Sequence, residues 1–271
     1  MADVDGVEKR IFGWDTPATS PEYTQFLAQY LTALCAHLKE LGIAEKCFFH
    51  ISDEPRGEML DDYRKARAAV EPYLDGFVIM DALSDYEFYR QGVVSAPIVA
   101  TNHIMPFVEG GVPGLWCYYC VGQHDKVSNS FIAMPSARTR ILGVQMYLYH
   151  IAGFLQWGYN FYHSQYSYDV IDPYLITDGD GFAPGGDTFI VYPGKDGPEE
   201  SLRMLVTAEA FQDMRALEWL EQLRGREFVE ALLGEGITFD AYPRGAEWLL
   251  DMRRRVNRAI CEAQGCCIAQ Q

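Results

Sequence analysis

Short apolar segments alternate with helical segments along much of this chain, and that alternation restricts it to few folds. The helical segments carry apolar residues at helical spacing or a charged amphipathic face. The apolar segments are IFGW (11–14), CFFHIS (47–52), FVIMDAL (77–83), APIVATN (96–102), GLWCYYCV (114–121) and GFLQWGYNF (153–161). Apolar strands separated by helices are buried on both faces, so the pattern predicts an α/β fold with a parallel sheet or a (β/α) barrel.

The helices that separate and follow these strands are predicted from their periodicity and from turn signals. They cover residues 21–41, 58–73, 84–91, 136–152, 199–223 and 246–263, and one more strand, TFIVYPG, covers 188–194. We expect residues 1–225 to form the catalytic barrel region and residues 226–271 to form a C-terminal helical extension.

Charge argues against two classes of partner. The formal net charge is −16, which repels nucleic acid and anionic lipid, so no nucleic-acid partner is expected. Residues 141–168 carry no formal charge, but polar residues and three glycines interrupt them, so no membrane-spanning helix is expected. The first ten residues, MADVDGVEKR, do not resemble a signal peptide, and the compartment is left open. The seven cysteines are irregularly spaced and do not predict a disulfide framework.

The sharpest local feature is HISDEP (50–55), where an apolar strand runs directly into Asp53 and Glu54. In a parallel α/β barrel, residues just past the C-terminal end of a strand line the active site. The alternative is structural: Asp53 caps the following helix, with Glu54 and Pro55 in its first turn. Local sequence alone leaves both interpretations open.

Other strand ends carry groups that are suited to a sugar, because aromatic faces pack on apolar sugar faces while carboxylates and amides bind hydroxyls. The predicted substrate-binding residues are Trp14, Asp15, His50, Asp81, Trp116, Tyr118, Tyr119, Trp157 and Asn160. Together they predict an acidic, aromatic-lined cleft for a carbohydrate.

The blocks FFHISDEP, LWCYYC, GFLQWGYNFY, PGGDTFIVYPG and SLRM occur here in this order. They resemble the catalytic domain of glycoside hydrolase family 123, also catalogued as domain-of-unknown-function family 4091, over about residues 12–220. The resemblance implies a (β/α)8 barrel and a β-N-acetylgalactosaminidase that uses the substrate's own acetamido oxygen as nucleophile, a recognised exception to the two-carboxylate scheme. It implies that Asp53 polarises the acetamido group and that Glu54 is the acid/base; Tyr119 and Trp157 are expected to hold the acetamido group.

Repulsion within the adjacent pair should raise the proton affinity of one carboxyl. We expect Glu54 to stay protonated as the acid while Asp53 stays ionised.

The chain departs from the family in one respect: only one βα unit fits before Glu54, although each unit takes about 30 residues. We therefore expect about the first two βα units to be absent. Three outcomes are open: a fragment of a longer product, a sheet rearranged so that TFIVYPG closes the gap, or a homo-oligomer that covers the open edges.

Two other functions compete with hydrolysis. One is a non-catalytic carbohydrate-binding or scaffold relative of the family. The other is a metal-dependent hydrolase that uses His50, Asp53, Glu54, Asp81 and either His103 or His124. The sequence lacks HxH and HExxH spacing, and Cys117 and Cys120 form a lone CxxC, so neither a metal nor a cofactor is predicted.

Overall fold

The computed structural model describes residues 2–265. The chain divides into two compact units, Met1–Ile98 and Val99–Gln271. Cys266, Cys267 and the rest of the predicted extension beyond residue 265 lie outside the described residues.

The first unit begins with a hairpin and continues with strands and helices in alternation. Its elements are β1 (Ala2–Val4), β2 (Val7–Lys9), α1 (Pro21–Glu40), β3 (Phe48–Phe49), α2 (Leu60–Val70), β4 (Val78–Leu83) and α3 (Glu87–Arg90), and β5 (Ala96–Ala100) follows at the unit boundary. Strand β3 pairs with β4 in parallel, with Phe48 opposite Val78. The predicted strand–helix–strand order of residues 47–83 is therefore confirmed.

The second unit holds two parallel strands and a group of packed helices. Its elements are α4 (Met105–Glu109), β6 (Trp116–Tyr118), α5 (Ser136–Arg140), α6 (Leu142–Leu148), β7 (Gly153–Leu155), β8 (Val191–Pro193), β9 (Pro198–Glu200), α7 (Leu202–Arg224), α8 (Arg226–Leu233) and α9 (Ala246–Ala263). Strand β6 pairs with β7 in parallel, with Trp116 opposite Gly153.

Strands β3 to β7 are neighbours in chain order in one five-stranded sheet. This confirms the α/β fold, and the order agrees with part of a (β/α)8 barrel. A complete eight-stranded barrel is not found among residues 2–265 and stays a prediction.

Three predicted elements differ from the structure. Residues 11–14 form no strand. The 136–152 helix is two consecutive helices that end at Leu148, because His150 adopts a left-handed backbone with φ of 51°. Strand β8 does not close the parallel sheet: it pairs antiparallel with β9 in a separate two-stranded sheet.

Helix α7 is the centre of the helical core in the second unit. Leu217 and Leu220 of α7 are fully buried and share an apolar cluster with residues of α5, α6, α8 and α9. The region 226–263 holds the helices α8 and α9, separated by irregular backbone at 234–245, while the domain boundary at residue 225 stays a prediction. No helix within residues 2–265 is both long and apolar enough to cross a membrane.

Candidate active site

Asp53 and Glu54 lie in irregular backbone directly after β3, and both are exposed. The next helical turn begins only at Gly57, and its N-cap residue, Arg56, makes no side-chain capping bond. The interpretation of Asp53 as a helix cap is therefore wrong, because three residues separate it from the helix it would cap. Its side chain is left for another role.

The end of strand β4 fixes the backbone that leads into the pair. The fully buried Asp81 accepts hydrogen bonds at Oδ1 from the backbone N–H groups of Ile51 and Ser52, at 2.7 and 3.1 Å. Its Oδ2 accepts a hydrogen bond from the hydroxyl of Tyr63 on α2. The backbone N–H of Glu54 donates to the carbonyl of Ala82 at 2.9 Å. Residues 51–54 are thus held to one strand end at three points.

Two titratable groups at this site have raised pKa values. Although Asp53 is exposed, neighbouring atoms remove part of its water, and this partial desolvation, followed by the charge of Glu54, raises its pKa above the ordinary value. The Asp81 carboxylate, whose Oδ1 lies 3.7 Å from Nδ1 of His50, raises the pKa of that imidazole. The repulsion expected from the sequence is therefore found, but it raises the pKa of Asp53, the carboxyl that was expected to stay ionised.

The backbone at Glu54 is left-handed, with φ of 45°. Such a conformation costs a non-glycine residue about 1–2 kcal/mol and is concentrated at functional sites. The Ala82 hydrogen bond keeps the residue in this conformation. The arrangement can present two adjacent carboxyl groups to a reacting molecule without reorganising the chain.

A second cluster lies in the second unit, where Trp157 follows β7. The indole Nε1–H donates to Oδ2 of Asp187 at 3.1 Å. Phe161 and Phe182 lie beside the indole, with ring centroids 5.7 and 6.5 Å away. The Trp157 side chain is still 37% exposed, so part of it is accessible to a ligand.

Asp187 was not among the predicted site residues, although the structure strongly raises the pKa of its carboxyl group. It is only 1% exposed, and burial raises its pKa to about 6. The guanidinium of Arg203 opposes this shift electrostatically, and its Nη1 donates to the carbonyl of Gly186 at 2.5 Å. Arg203 Nη2 is buried and makes no hydrogen bond within the described residues. The only sequence signal for Asp187 was its place in the PGGDTFIVYPG block.

The remaining predicted site residues differ widely in exposure. Trp14 is 91% exposed in the loop before α1, where Asp15 follows it. Trp116 is half-buried, and its ring lies where a side chain at Gly153 would stand. Tyr118 and Tyr119 are buried, with Tyr119 near enough to Asp187 and Arg203 for their charges to act on its hydroxyl. Asn160 is exposed and forms a β-bridge with Phe189.

The structure therefore brings six of the eleven predicted residues together in two groups. One consists of His50, Asp53, Glu54 and Asp81 in the first unit, and the other of Tyr119 and Trp157 around Asp187 in the second. In the described part of the chain, no three His, Cys, Asp or Glu side chains are grouped so that they could hold a metal ion. The metal-dependent alternative has no structural support from these residues.

Comparisons with known proteins identify the family of the chain. The family model for the glycoside hydrolase 123 catalytic domain matches residues 2–220. A solved structure of a family 123 glycoside hydrolase from Clostridium perfringens, described for glycolipid glycan hydrolysis, matches with a TM-score of 0.60 and 19% identity. That match covers 92% of this chain and 46% of the other, so the chain spans about half the length of that relative. No curated protein matches the sequence. Since the family model covers most of the chain, including both groups of candidate residues, the protein belongs to glycoside hydrolase family 123.

Proposed function

We propose that this protein is a retaining glycosidase that releases terminal β-linked N-acetylgalactosamine from a glycan with help from the substrate's acetamido group. The observation that carries the proposal is the Asp53–Glu54 pair, which is exposed, does not cap a helix, and is fixed by backbone hydrogen bonds to β4. Because the substrate supplies the nucleophile, a second protein carboxylate at nucleophile distance is not required.

In the first step the acetamido carbonyl oxygen attacks the anomeric carbon while the glycosidic C–O bond breaks. Glu54 gives its proton to the departing oxygen. Asp53 accepts a hydrogen bond from the acetamido N–H, which makes the carbonyl oxygen more nucleophilic. In the second step the deprotonated Glu54 takes a proton from water, which attacks the anomeric carbon and opens the oxazoline. Each step attacks the anomeric carbon from the face opposite the bond that breaks, so the two inversions together retain the configuration.

Other residues position these groups or contact the sugar. Asp81 is too deeply buried to meet substrate, and its bonds to the backbone before Asp53 favour a positioning role. Trp157, with its exposed indole, is the better of the two aromatic candidates for the acetamido group, because Tyr119 is only 1% exposed. Asp187, which is only 1% exposed and accepts the indole N–H of Trp157, is the residue we assign to positioning that indole.

The test is hydrolysis of an aryl N-acetyl-β-galactosaminide by the wild-type chain and by Glu54→Gln and Asp53→Asn. Loss of a general acid or of the polarising carboxylate should lower kcat by about 10²–10⁴-fold. Asp62→Asn is the matched control, because this carboxylate is exposed on α2 and pairs only with Lys65 in the same helix. An aryl β-galactoside without the acetamido group should not be cleaved, and proton NMR should show retained configuration. Full activity in Glu54→Gln would refute the assignment.

The second candidate function is carbohydrate binding without hydrolysis. The observation in its favour is the partly exposed Trp157 indole, because an aromatic face binds a sugar whether or not a reaction follows. Saturation-transfer NMR with free N-acetylgalactosamine separates the two. Binding without turnover of any aryl glycoside would support the binding function, and turnover would exclude it.

A further inference from the structure

An exposed aromatic hairpin, residues 163–170, follows the Trp157 segment in the second unit. His163 forms an antiparallel bridge with Val170, and the backbone N–H of Ser164 donates to the carbonyl of Asp169 at 2.9 Å. At the tip, the rings of Tyr166 and Tyr168 lie edge to face with centroids 5.9 Å apart. Their exposed fractions are 67% and 80%. Two large aromatic rings are therefore fixed against each other and still open to solvent.

The backbone at the tip is strained. Tyr166 and Ser167 both have φ of 58°, a left-handed conformation that bulky residues rarely adopt. Glycine would adopt it without this cost. Neither the strain nor the exposure of the rings stabilises the folded state, which points to a role in binding rather than in folding.

The hairpin is continuous with the Trp157–Asp187 cluster through ring contacts. Phe161 lies 5.7 Å from Trp157 between ring centroids, and His163, at the base of the hairpin, lies 5.4 Å from Phe161. The segment leaves the C-terminal end of β7, which is the edge where ligands bind in parallel α/β sheets. The hairpin therefore extends an aromatic track that starts at the residue assigned to the terminal sugar.

The chemistry of the tip fits a saccharide. Tyrosine offers a large apolar face and a hydroxyl that stays in water, and the polar side chains of Gln165 and Asp169 flank the rings. Asp169 is the single formal charge within 163–170, so the hairpin has no lysine or arginine for a phosphate or an anionic lipid. A neutral sugar ring remains the ligand that matches rings with polar flanks.

We propose that Tyr166 and Tyr168 form a subsite for the saccharide to which the released sugar is linked, on the reducing side of that sugar. This inference rests on the proposed function, since it adds the saccharide next to the released sugar to the part of the substrate that the protein binds. The hairpin binds the leaving saccharide by stacking, so it adds affinity and positioning only for substrates whose aglycone is itself a sugar.

The experiment compares two substrates with alcohol leaving groups: methyl N-acetyl-β-galactosaminide and a disaccharide in which N-acetylgalactosamine is β-linked to galactose. The variants are Tyr166→Ala, Tyr168→Ala and Tyr166→Gly, and Leu175→Ala is the control because it is 81% exposed downstream of the hairpin. Each tyrosine variant should lose about 3- to 10-fold in kcat/KM on the disaccharide, as expected for one aromatic contact. The methyl glycoside should be cleaved at the wild-type rate.

Tyr166→Gly separates binding from backbone strain, because it removes the ring and also relieves the left-handed conformation. It should lose as much disaccharide activity as Tyr166→Ala while unfolding at a higher temperature. The inference is overturned if the ratio of disaccharide to methyl-glycoside activity is the same in the tyrosine variants as in Leu175→Ala, although the proposed function would then stand.

If the wild-type chain cleaves neither substrate, the proposed function fails, and binding decides the inference. Disaccharide binding is then measured by saturation-transfer NMR. Binding by wild type that weakens in the Tyr166→Ala/Tyr168→Ala double variant supports the subsite. Equal binding by both proteins, or no binding by either, overturns it.

Discussion

Replacement of Asp187 by Asn should make the folded protein more stable at neutral pH. The folded-state pKa is about 6 against an ordinary 3.8, a difference of about 2 pH units caused mainly by burial. At 1.36 kcal/mol per unit, ionisation of this carboxyl costs the native state about 3 kcal/mol. Asn keeps an acceptor oxygen for the Trp157 indole and removes the buried charge.

The contribution of Asp187 to the free energy of unfolding should change with pH in one direction. The folded state holds a proton on Asp187 between pH ~4 and 6 that the unfolded state has released, so this contribution to stability is present below pH ~4 and is lost as pH rises through 6. Asp187→Asn should therefore match wild type near pH 4 and exceed it by about 3 kcal/mol at pH 7.5.

Denaturant unfolding of both proteins between pH 4 and 7.5 measures this difference, and the exposed Asp62→Asn variant controls for loss of a surface charge. A variant that is no more stable than wild type at pH 7.5, or a gain that does not grow with pH, would contradict the buried-charge explanation. Activity gives an independent readout: if Asp187 positions the Trp157 indole, Asp187→Asn should keep the wild-type kcat/KM, because the amide oxygen still accepts the indole N–H, whereas Asp187→Ala should lower kcat/KM.

Three further predictions follow from local geometry. Tyr63→Phe removes a donor to the buried Asp81 and should lower the free energy of unfolding by about 1–3 kcal/mol in denaturant titration; an unchanged midpoint would contradict that hydrogen bond. Glu54→Gln removes the neighbouring charge and should lower the pKa of Asp53, measured by carbon NMR of the carboxyl; an unchanged pKa would mean that the charge of Glu54 does not contribute to the shift. Gly158→Ala places a methyl carbon 2.4 Å from a backbone oxygen and should cost about 1–3 kcal/mol in thermal unfolding, whereas normal stability would mean that the segment shifts freely.

Most helices and parallel strands could be predicted because their signals are local. Helix α1 was expected over residues 21–41 and covers Pro21–Glu40, since its apolar face and the glycine at its end are both in the sequence. The β1–β2 hairpin was missed although its Asp5–Gly6 turn is a typical two-residue signal, with both residues left-handed. Its strands are only three residues long, too short for alternation to be recognised.

The two groups of site residues were unequally predictable for a physical reason. Asp53 and Glu54 are adjacent in sequence and follow an apolar strand, so the pair can be recognised within the six-residue segment HISDEP. Asp187 acquires its role only when the chain brings it against Trp157, thirty positions away, and buries it. Burial at a loop position has no periodic signal, and the raised pKa is a consequence of burial.

Two buried aspartates act by holding donors of their own chain in place. Asp81 receives two backbone N–H donors and the hydroxyl of Tyr63, which occupy both of its oxygens. For Asp187, the Trp157 indole, the charge of Arg203 and a backbone hydrogen bond with Val121 favour the ionised form, yet burial raises the pKa to about 6. Burial therefore outweighs three favourable contacts at Asp187, because desolvation of a carboxylate costs more than these contacts return. Asp81 thus positions the backbone that leads into Asp53, and Asp187 positions the indole that we assign to the sugar.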